Sequence, residues 1–125
     1  MQIIEKIKFF TVEELACPCC GLFNINPSSV SKLDILRERL SVPLKVNSAC
    51  RCDKHNNEVG GATNSSHKCS VDTVSYAFDI AIPDGHLRYQ LIKIALDLGF
   101  HRIGIYKDFV HIDDNPMRRP YIWVG

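Results

Sequence analysis

Two strand-like segments carry polar side chains that could bind a metal ion among apolar neighbours. The segment AFDIAI (residues 77–82) alternates three large apolar residues with Asp79, which lies between two alanines. The segment FVHID (residues 109–113) repeats this arrangement, with His111 and Asp113 on the face opposite its aliphatic residues. Burying a carboxylate in so apolar a strand costs free energy unless the carboxylate is paired, hydrogen-bonded or bound to a metal. We therefore interpret these polar positions as parts of a site.

A third candidate ligand, His67, ends the loop sequence GGATNSSH (residues 60–67). Its glycines, asparagine and serines predict a loop, and functional residues are disproportionately found on loops. Two imidazoles and one carboxylate form a typical catalytic zinc set, which leaves a fourth position for water. We therefore predict that His67, Asp79 and His111 bind Zn²⁺.

The segments around these residues resemble a known family. NSACRCDKHNNEVGGATNSSH, AFDIAI and GFHRIGIYKDFVHID are similar to the zinc D-Ala-D-Ala carboxypeptidases and dipeptidases and the phage L-alanyl-D-glutamate endolysins. FTVEELACPCCG and Trp123 extend the likeness to nearly the whole chain. The family pattern is Ser-x-His, a small-residue strand ending in Asp, and an acidic residue three before the last His. Here these are Ser65-Ser66-His67, Ala77-Phe78-Asp79 and Asp108-Phe109-Val110-His111.

The resemblance implies roles for further residues. Asp108 would be the general base for the attacking water, and Ser65 would contact the substrate near the scissile bond. Arg51 would bind a substrate carboxylate or stabilise the developing oxyanion, for which its fixed fork of donors is suited. Asp113 is the alternative to Asp108, because it shares a face with His111 and could be the base or a partner of the metal ligand.

The resemblance also predicts the function, a zinc metallopeptidase that hydrolyses stem peptides of bacterial peptidoglycan. It leaves open carboxypeptidase or L-alanyl-D-glutamate endopeptidase cleavage. A binding module is the main alternative, since Hedgehog signalling domains share this fold and zinc but act through partners; a structural phage tail component is another. The presence of Arg51, Ser65 and Asp108 favours the enzyme.

The sequence departs from the family pattern between the first two proposed ligands. The family places its Asp seven residues after the first His, with a glycine between, whereas His67 and Asp79 are twelve residues apart. The intervening KCSVDTVSY (residues 68–76) predicts an inserted loop beside the metal that alters substrate access. Asp72, within this loop, is a competing ligand, but its surroundings are typical of a loop and not of a packed strand.

The pattern of elements predicts one α+β domain over residues 1–125, with a small antiparallel sheet and two main helices. Asn26-Pro27 and a four-residue apolar stripe predict a helix that ends before Pro43. A second helix is predicted from Gly85 to Leu98, with Gly99 as its stop. Thr11-Val12-Glu13-Glu14 is typical of a capping box. Strands are predicted at residues 44–48, 76–82, 102–106, 109–113 and 121–124.

Composition limits the partners. The 125 residues carry a net charge of +1, and no basic block suggests nucleic-acid binding. No apolar run approaches the roughly 18 residues of a membrane span, so we expect no membrane insertion. We expect a monomer whose partner is its peptidoglycan peptide substrate.

The N-terminus MQIIEKIKFF lacks the uninterrupted apolar region of a signal peptide. We therefore expect synthesis in the cytoplasm and action on the cell wall after release through a phage holin-type pore, with cytoplasmic turnover of wall fragments as the alternative. The six cysteines are accordingly predicted to remain thiols. The sequence CPCCG (residues 17–21) offers one Cys-x-x-Cys pair, but no second pair is evident, so ordinary thiols are favoured over a structural zinc.

Overall fold

The computed structural model describes residues 7–125. The signal-peptide prediction rests on MQIIEKIKFF, and the first six residues of this segment lie outside the described range. Four helices and five strands follow in the order α1 (Val12–Leu15), α2 (Pro27–Leu40), β1 (Lys45–Ser48), α3 (Asp53–Glu58), β2 (Ala77–Ala81), α4 (Gly85–Leu98), β3 (Arg102–Ile105), β4 (Phe109–Asp113) and β5 (Tyr121–Val124). The α+β class is confirmed. Within residues 7–125, no helix has the length and apolar character needed to cross a membrane.

The helices begin and end where the local chemistry predicts. The predicted capping box of α1 is present, with the Glu14 backbone N–H donating to Thr11 Oγ1 at 3.1 Å and the Thr11 backbone N–H donating back to Glu14 Oε1 at 2.9 Å. Helix α2 starts at Pro27, as predicted. Helix α4 ends at Gly99, whose φ of 102° is in the left-handed region that glycine adopts without strain.

The sheet has the strand order β1-β2-β4-β3-β5 and is mixed. The first four strands in this order pair antiparallel, but β5 pairs parallel with β3, so the prediction of a wholly antiparallel sheet is wrong at this edge. Seven residues (114–120) connect β4 to β5. At the start of β3, Arg102 pairs with Asp113, the last residue of β4, on one side and with Tyr121, the first residue of β5, on the other. The connection therefore crosses from one side of β3 to the other, and β5 runs in the same direction as β3.

One face of this sheet forms the hydrophobic core with the two long helices. The fully buried residues of this core include Phe78, Ile80, Leu33, Leu36, Leu91, Ala95, Ile103, Val110 and Ile112. These strand residues alternate with the polar positions that the sequence singled out. The opposite face of the sheet is therefore free to carry polar side chains.

The cysteines differ from the sequence prediction. Cys50 and Cys69 form a disulfide, so the prediction of six free thiols is wrong for this pair. The physical reason is a backbone bridge between Arg51 and Lys68, which brings the neighbouring cysteines to a Cα–Cα distance of 5.6 Å. Their separation of 19 residues gave no sign of this contact. Helix α3, which begins directly after Cys52, was also not predicted.

The division of the sheet into a core face and an exposed edge can be tested with two matched isoleucines. Ile80 in β2 is fully buried, whereas Ile122 in β5 is 56% exposed. Ile80→Ala is expected to lower the free energy of unfolding by about 2–5 kcal/mol, because it leaves a cavity in the core. Ile122→Ala should lower it by less than about 1 kcal/mol. Urea unfolding measures both, and equal losses would contradict this assignment of the faces.

Candidate metal centre

A row of directly paired residues crosses the polar face of the sheet. Asp79 in β2 pairs with His111 in β4, His111 pairs with Gly104 in β3, and Gly104 pairs with Trp123 in β5. Directly opposite residues project to the same face, with their Cβ atoms about 5 Å apart. The strand register therefore places the carboxylate of Asp79 beside the imidazole of His111.

His67 reaches this row from the loop that precedes β2. The backbone N–H of Arg51 donates to the carbonyl of His67 at 2.9 Å, and the backbone N–H of His67 donates to Ser65 Oγ at 3.2 Å. These bonds fix the backbone of a residue that lies outside the regular strands. The side chain of His67 is buried, with only 1% of the residue exposed.

One atom from each of the three side chains lies close to the corresponding atoms of the other two. His67 Nε2 lies 3.2 Å from His111 Nδ1 and 3.1 Å from Asp79 Oδ1, and His111 Nδ1 lies 2.9 Å from the same oxygen. Ligands placed about 2.0–2.1 Å from a tetrahedral zinc ion are about 3.3 Å apart. The spacing and the chemistry of this donor set therefore fit a zinc ion, and their assignment as its ligands stays a prediction.

The remaining ring nitrogens of both histidines are held by acceptors. His67 Nδ1 lies 2.8 Å from the carbonyl oxygen of Ala49, and His111 Nε2 lies 2.6 Å from Asp113 Oδ2. Because a carbonyl and a carboxylate can only accept, each of these nitrogens carries the proton. The lone pairs of His67 Nε2 and His111 Nδ1 are then directed at the metal position, the arrangement that orients histidine ligands in metalloproteins.

The charges of the site support metal binding. Burial lowers the pKa of His67, although Asp79 opposes this shift, so His67 is held neutral. Burial alone would raise the pKa of Asp79, but its close contacts with the imidazoles of His111 and His67 outweigh burial and hold that pKa well below its usual range. Burial also acts to lower the pKa of His111, yet its bonds with Asp113 and Asp79 raise it above the ordinary 6.5.

Comparison with known families agrees with this donor set. A family model described as peptidase M15 matches residues 8–113. The chain belongs to the peptidase M15 family. No curated protein matches it at a significant level. Membership confirms the resemblance given by the sequence and makes this chain a zinc metallopeptidase by family.

The metal centre of this M15 peptidase opens into a cleft of about 470 Å³. Arg51 and Ser65 line this cleft together with the three proposed ligands. Burial lowers the pKa of Arg51, an effect that nearby Asp79 opposes. Arg51 Nε is buried and has no hydrogen-bond partner within residues 7–125. Leaving a buried donor of a charged group without a partner costs free energy, so this nitrogen has bonding capacity to offer to a water or a ligand.

The sequence did not identify two aromatic residues of the cleft as site residues. Trp123 lies with its ring centroid 5.2 Å from that of His111, and its Nε1–H donates to the hydroxyl of Tyr106 at 2.9 Å. A Cβ atom at Gly104 would lie 2.6 Å from the Trp123 ring, so only glycine leaves room for this side chain. Glycine within the strand segment RIGI was the available signal, since it indicates close approach of another group.

The acidic candidates occupy three different environments. Asp113 is 1% exposed, faces the far side of His111 and also lies 3.4 Å from Arg102 Nε. Asp108 is exposed in the turn between β3 and β4, and is not among the residues that line the cleft. Asp72 is exposed in the inserted loop and lines a neighbouring depression. Asp113 thus contacts the proposed ligand His111 and lines the cleft, and the choice between Asp108 and Asp113 as base stays a prediction.

The assignment of the ligands predicts which substitutions remove zinc. His67→Ala, Asp79→Ala and His111→Ala should each lose the zinc equivalent bound at this centre, because a catalytic site with three protein ligands does not retain the metal with two. Asp72→Ala is the matched carboxylate control and should keep it. Metal analysis of dialysed protein measures the difference. Loss from Asp72→Ala together with retention by Asp79→Ala would reverse the assignment.

Asp113 should act on zinc affinity through His111. Asp113→Asn is expected to weaken zinc binding at this centre about 10- to 100-fold, because the amide no longer orients the ring and raises its basicity as the carboxylate does. Asp114→Asn is the matched control, since Asp114 is bonded to Ser29 and Lys32 instead. Competition with a zinc chelator measures both affinities, and equal affinities in the two variants would contradict this role.

Proposed function

We propose that this M15 peptidase hydrolyses peptide bonds in the stem peptides of bacterial peptidoglycan. The observation that carries the proposal concerns Arg51, which lines the same cleft as the His67–Asp79–His111 centre. One buried nitrogen of its guanidinium has no hydrogen-bond partner in the part of the chain that the structure describes. Stem peptides contain D-amino acids and free carboxylates. A half-buried guanidinium beside a hydrolytic metal centre suits such a substrate, because its planar fork binds carboxylates in a bidentate manner.

The metal and the chain have separate tasks in this proposal. When bound, zinc supplies a Lewis acid that polarises the scissile carbonyl and makes water a better nucleophile near neutral pH. Arg51 binds the substrate carboxylate or donates to the oxygen that becomes negative during attack. Ser65 contacts the substrate beside the scissile bond. Trp123 and Tyr106, joined by their hydrogen bond, form an apolar wall that limits water at the reacting groups.

Proton transfer is assigned to Asp108. Its carboxylate takes a proton from the attacking water and then delivers it to the leaving amine, so hydrolysis ends with a new carboxylate and a free amine. The support is that Asp108 lies three positions before His111, as the acidic residue does in the family pattern. The backbone carbonyl of Asp108 accepts from the N–H of Ile82 at 3.1 Å, which anchors the turn, and the side chain of Asp108 is exposed.

The substrate is tested with two defined peptides and with purified cell wall. One peptide contains the L-alanyl-D-glutamate bond and the other ends in D-Ala-D-Ala, so mass spectrometry of the fragments identifies the bond that is cut. Zinc-loaded protein is expected to cleave one of the two peptides and to release the matching fragment from cell wall. If zinc-loaded, folded protein cuts none of these substrates, the proposal fails and a binding module of the Hedgehog type is favoured.

The roles of Asp108 and Arg51 predict loss of turnover without loss of zinc. Asp108→Asn should lower kcat by about 10²–10⁴, the usual contribution of positioned proton transfer, and should remove the limb of the pH–rate profile that reports the base. Arg51→Lys should lower kcat/KM, since a single ammonium lacks the forked geometry. Arg51→Ala should lose about 3–4 kcal/mol of transition-state stabilisation if Arg51 donates to the oxyanion.

Asp97→Asn, an exposed carboxylate on α4, is the control for these variants and should leave the rate unchanged. Peptide hydrolysis and zinc content are measured side by side for every variant. Near-normal turnover of Asp108→Asn, combined with a dead Asp113→Asn that retains zinc, would transfer the role of base to Asp113.

A further inference from the structure

A second cluster of potential metal ligands lies apart from the His67–Asp79–His111 centre. The Sγ atoms of Cys17, Cys20 and Cys52 all lie within 4.8 Å of one another. None of these cysteines forms a disulfide in residues 7–125, in contrast to Cys50 and Cys69. Cys17 is buried, Cys52 is partly buried and Cys20 is exposed, so the cluster extends from the protein interior to its surface.

The first two thiols are brought together by a tight turn. In Cys17-Pro18-Cys19-Cys20-Gly21 the backbone N–H of Gly21 donates to the carbonyl of Cys17 at 2.8 Å. Gly21 adopts a φ of 76°, which a residue with a side chain rarely tolerates. The N–H of Cys17 in turn donates to the carbonyl of Leu22 at 2.8 Å. This doubly closed turn holds the Cys-x-x-Cys pair with both sulfurs on one side, the spacing that structural zinc sites use.

The third thiol comes from a residue 32 positions beyond Cys20. The backbone N–H of Cys52 donates to Cys17 Sγ at 3.4 Å, and Cys52 Sγ accepts from the backbone N–H of His55 at 3.4 Å as the N-cap of α3. Two of the three sulfurs are thus hydrogen-bond acceptors from backbone N–H groups. Such bonds stabilise the negative thiolate form, which is the form that binds metal.

Cys19 belongs to the same turn and is an exposed free thiol, although its Sγ is not one of the three that converge. A structural zinc site is tetrahedral with four protein ligands, and sets made only of cysteine are common. We propose that Cys17, Cys20 and Cys52 bind a second, structural Zn²⁺, with Cys19 as the fourth ligand. This interpretation replaces that of ordinary thiols, which followed from the lack of a second cysteine pair in the sequence.

A metal at this position would stabilise the backbone around Arg51. Cys52 follows Arg51 directly, and Cys50 precedes it and is bonded to Cys69. The backbone of Arg51 also bonds on both sides, donating to His67 and accepting from Cys69 at 2.8 Å. The thiolate site would join the 17–21 turn to this segment and so hold the cleft residue Arg51 in place without touching the substrate.

The first test is the zinc content of protein purified and dialysed under reducing conditions. The unmutated chain is expected to hold two zinc ions, whereas Cys17→Ser, Cys20→Ser, Cys52→Ser and His67→Ala should each hold one. The double variant Cys50→Ser/Cys69→Ser is the matched control and should hold two, because it changes two cysteines outside the cluster. Full zinc content in Cys52→Ser would overturn the proposal, as would an unmutated chain with a single zinc that disappears in His67→Ala.

Cobalt substitution of the unmutated protein provides a readout that does not depend on the folding of a variant. Cobalt bound by thiolates gives an intense sulfur-to-metal charge-transfer absorption that a site with two histidines and one aspartate lacks. This absorption should appear in the unmutated protein and persist in His67→Ala, and its absence would overturn the site. Cys19→Ser should lose zinc to a chelator at least tenfold faster, and an unchanged rate would remove Cys19 from the ligand set. Peptide hydrolysis is not used, so these outcomes are independent of the proposed substrate.

Discussion

The partly buried carboxylate of Asp79 is the constraint on which the rest of the site depends. Its side chain is 14% exposed and lies on a strand whose other face is fully apolar, so its charge must be compensated locally. The imidazole of His111 contacts it across the β2–β4 register, and that of His67 contacts it from a loop. A slip of that register by one residue would turn His111 toward the core and expose the apolar residues of β4. The apolar residues of β2 and β4 therefore hold the register that brings Asp79 and His111 together.

The two faces of the sheet have different roles, one in stability and one in forming the candidate site. The face that packs against α2 and α4 supplies stability, while the row formed by Asp79, His111, Gly104 and Trp123 supplies the chemistry. The parallel strand β5 is essential to this row, because it brings the indole over a position where a Cβ would collide with it. Edge strands are commonly kept short, and here a short edge strand closes one side of the cleft.

The segment from Cys50 to Cys52 links the different parts of the molecule. One cysteine is bonded to the start of the inserted loop, the other contacts the 17–21 turn, and the arginine between them lines the cleft. The inserted loop itself is fastened by the side-chain amide of Asn24, which donates to the carbonyl of Ser70 at 2.7 Å. Elements remote in sequence thus hold the backbone of a residue that interacts with the substrate in the proposed reaction.

The sequence by itself determined the α+β class, the long helices, the strands and the identity of the three polar side chains that converge. These follow from local signals: caps, a 3.6-residue stripe, a two-residue alternation, and polar residues where that alternation demands apolar ones. Only the tertiary structure decided the direction of β5, the Cys50–Cys69 bond, the approach of Cys52 to Cys17 and the placement of Asp113 behind His111. A period of two specifies the face of a residue but not the direction of its strand, and contacts between residues 19 to 35 positions apart depend on how the chain crosses itself.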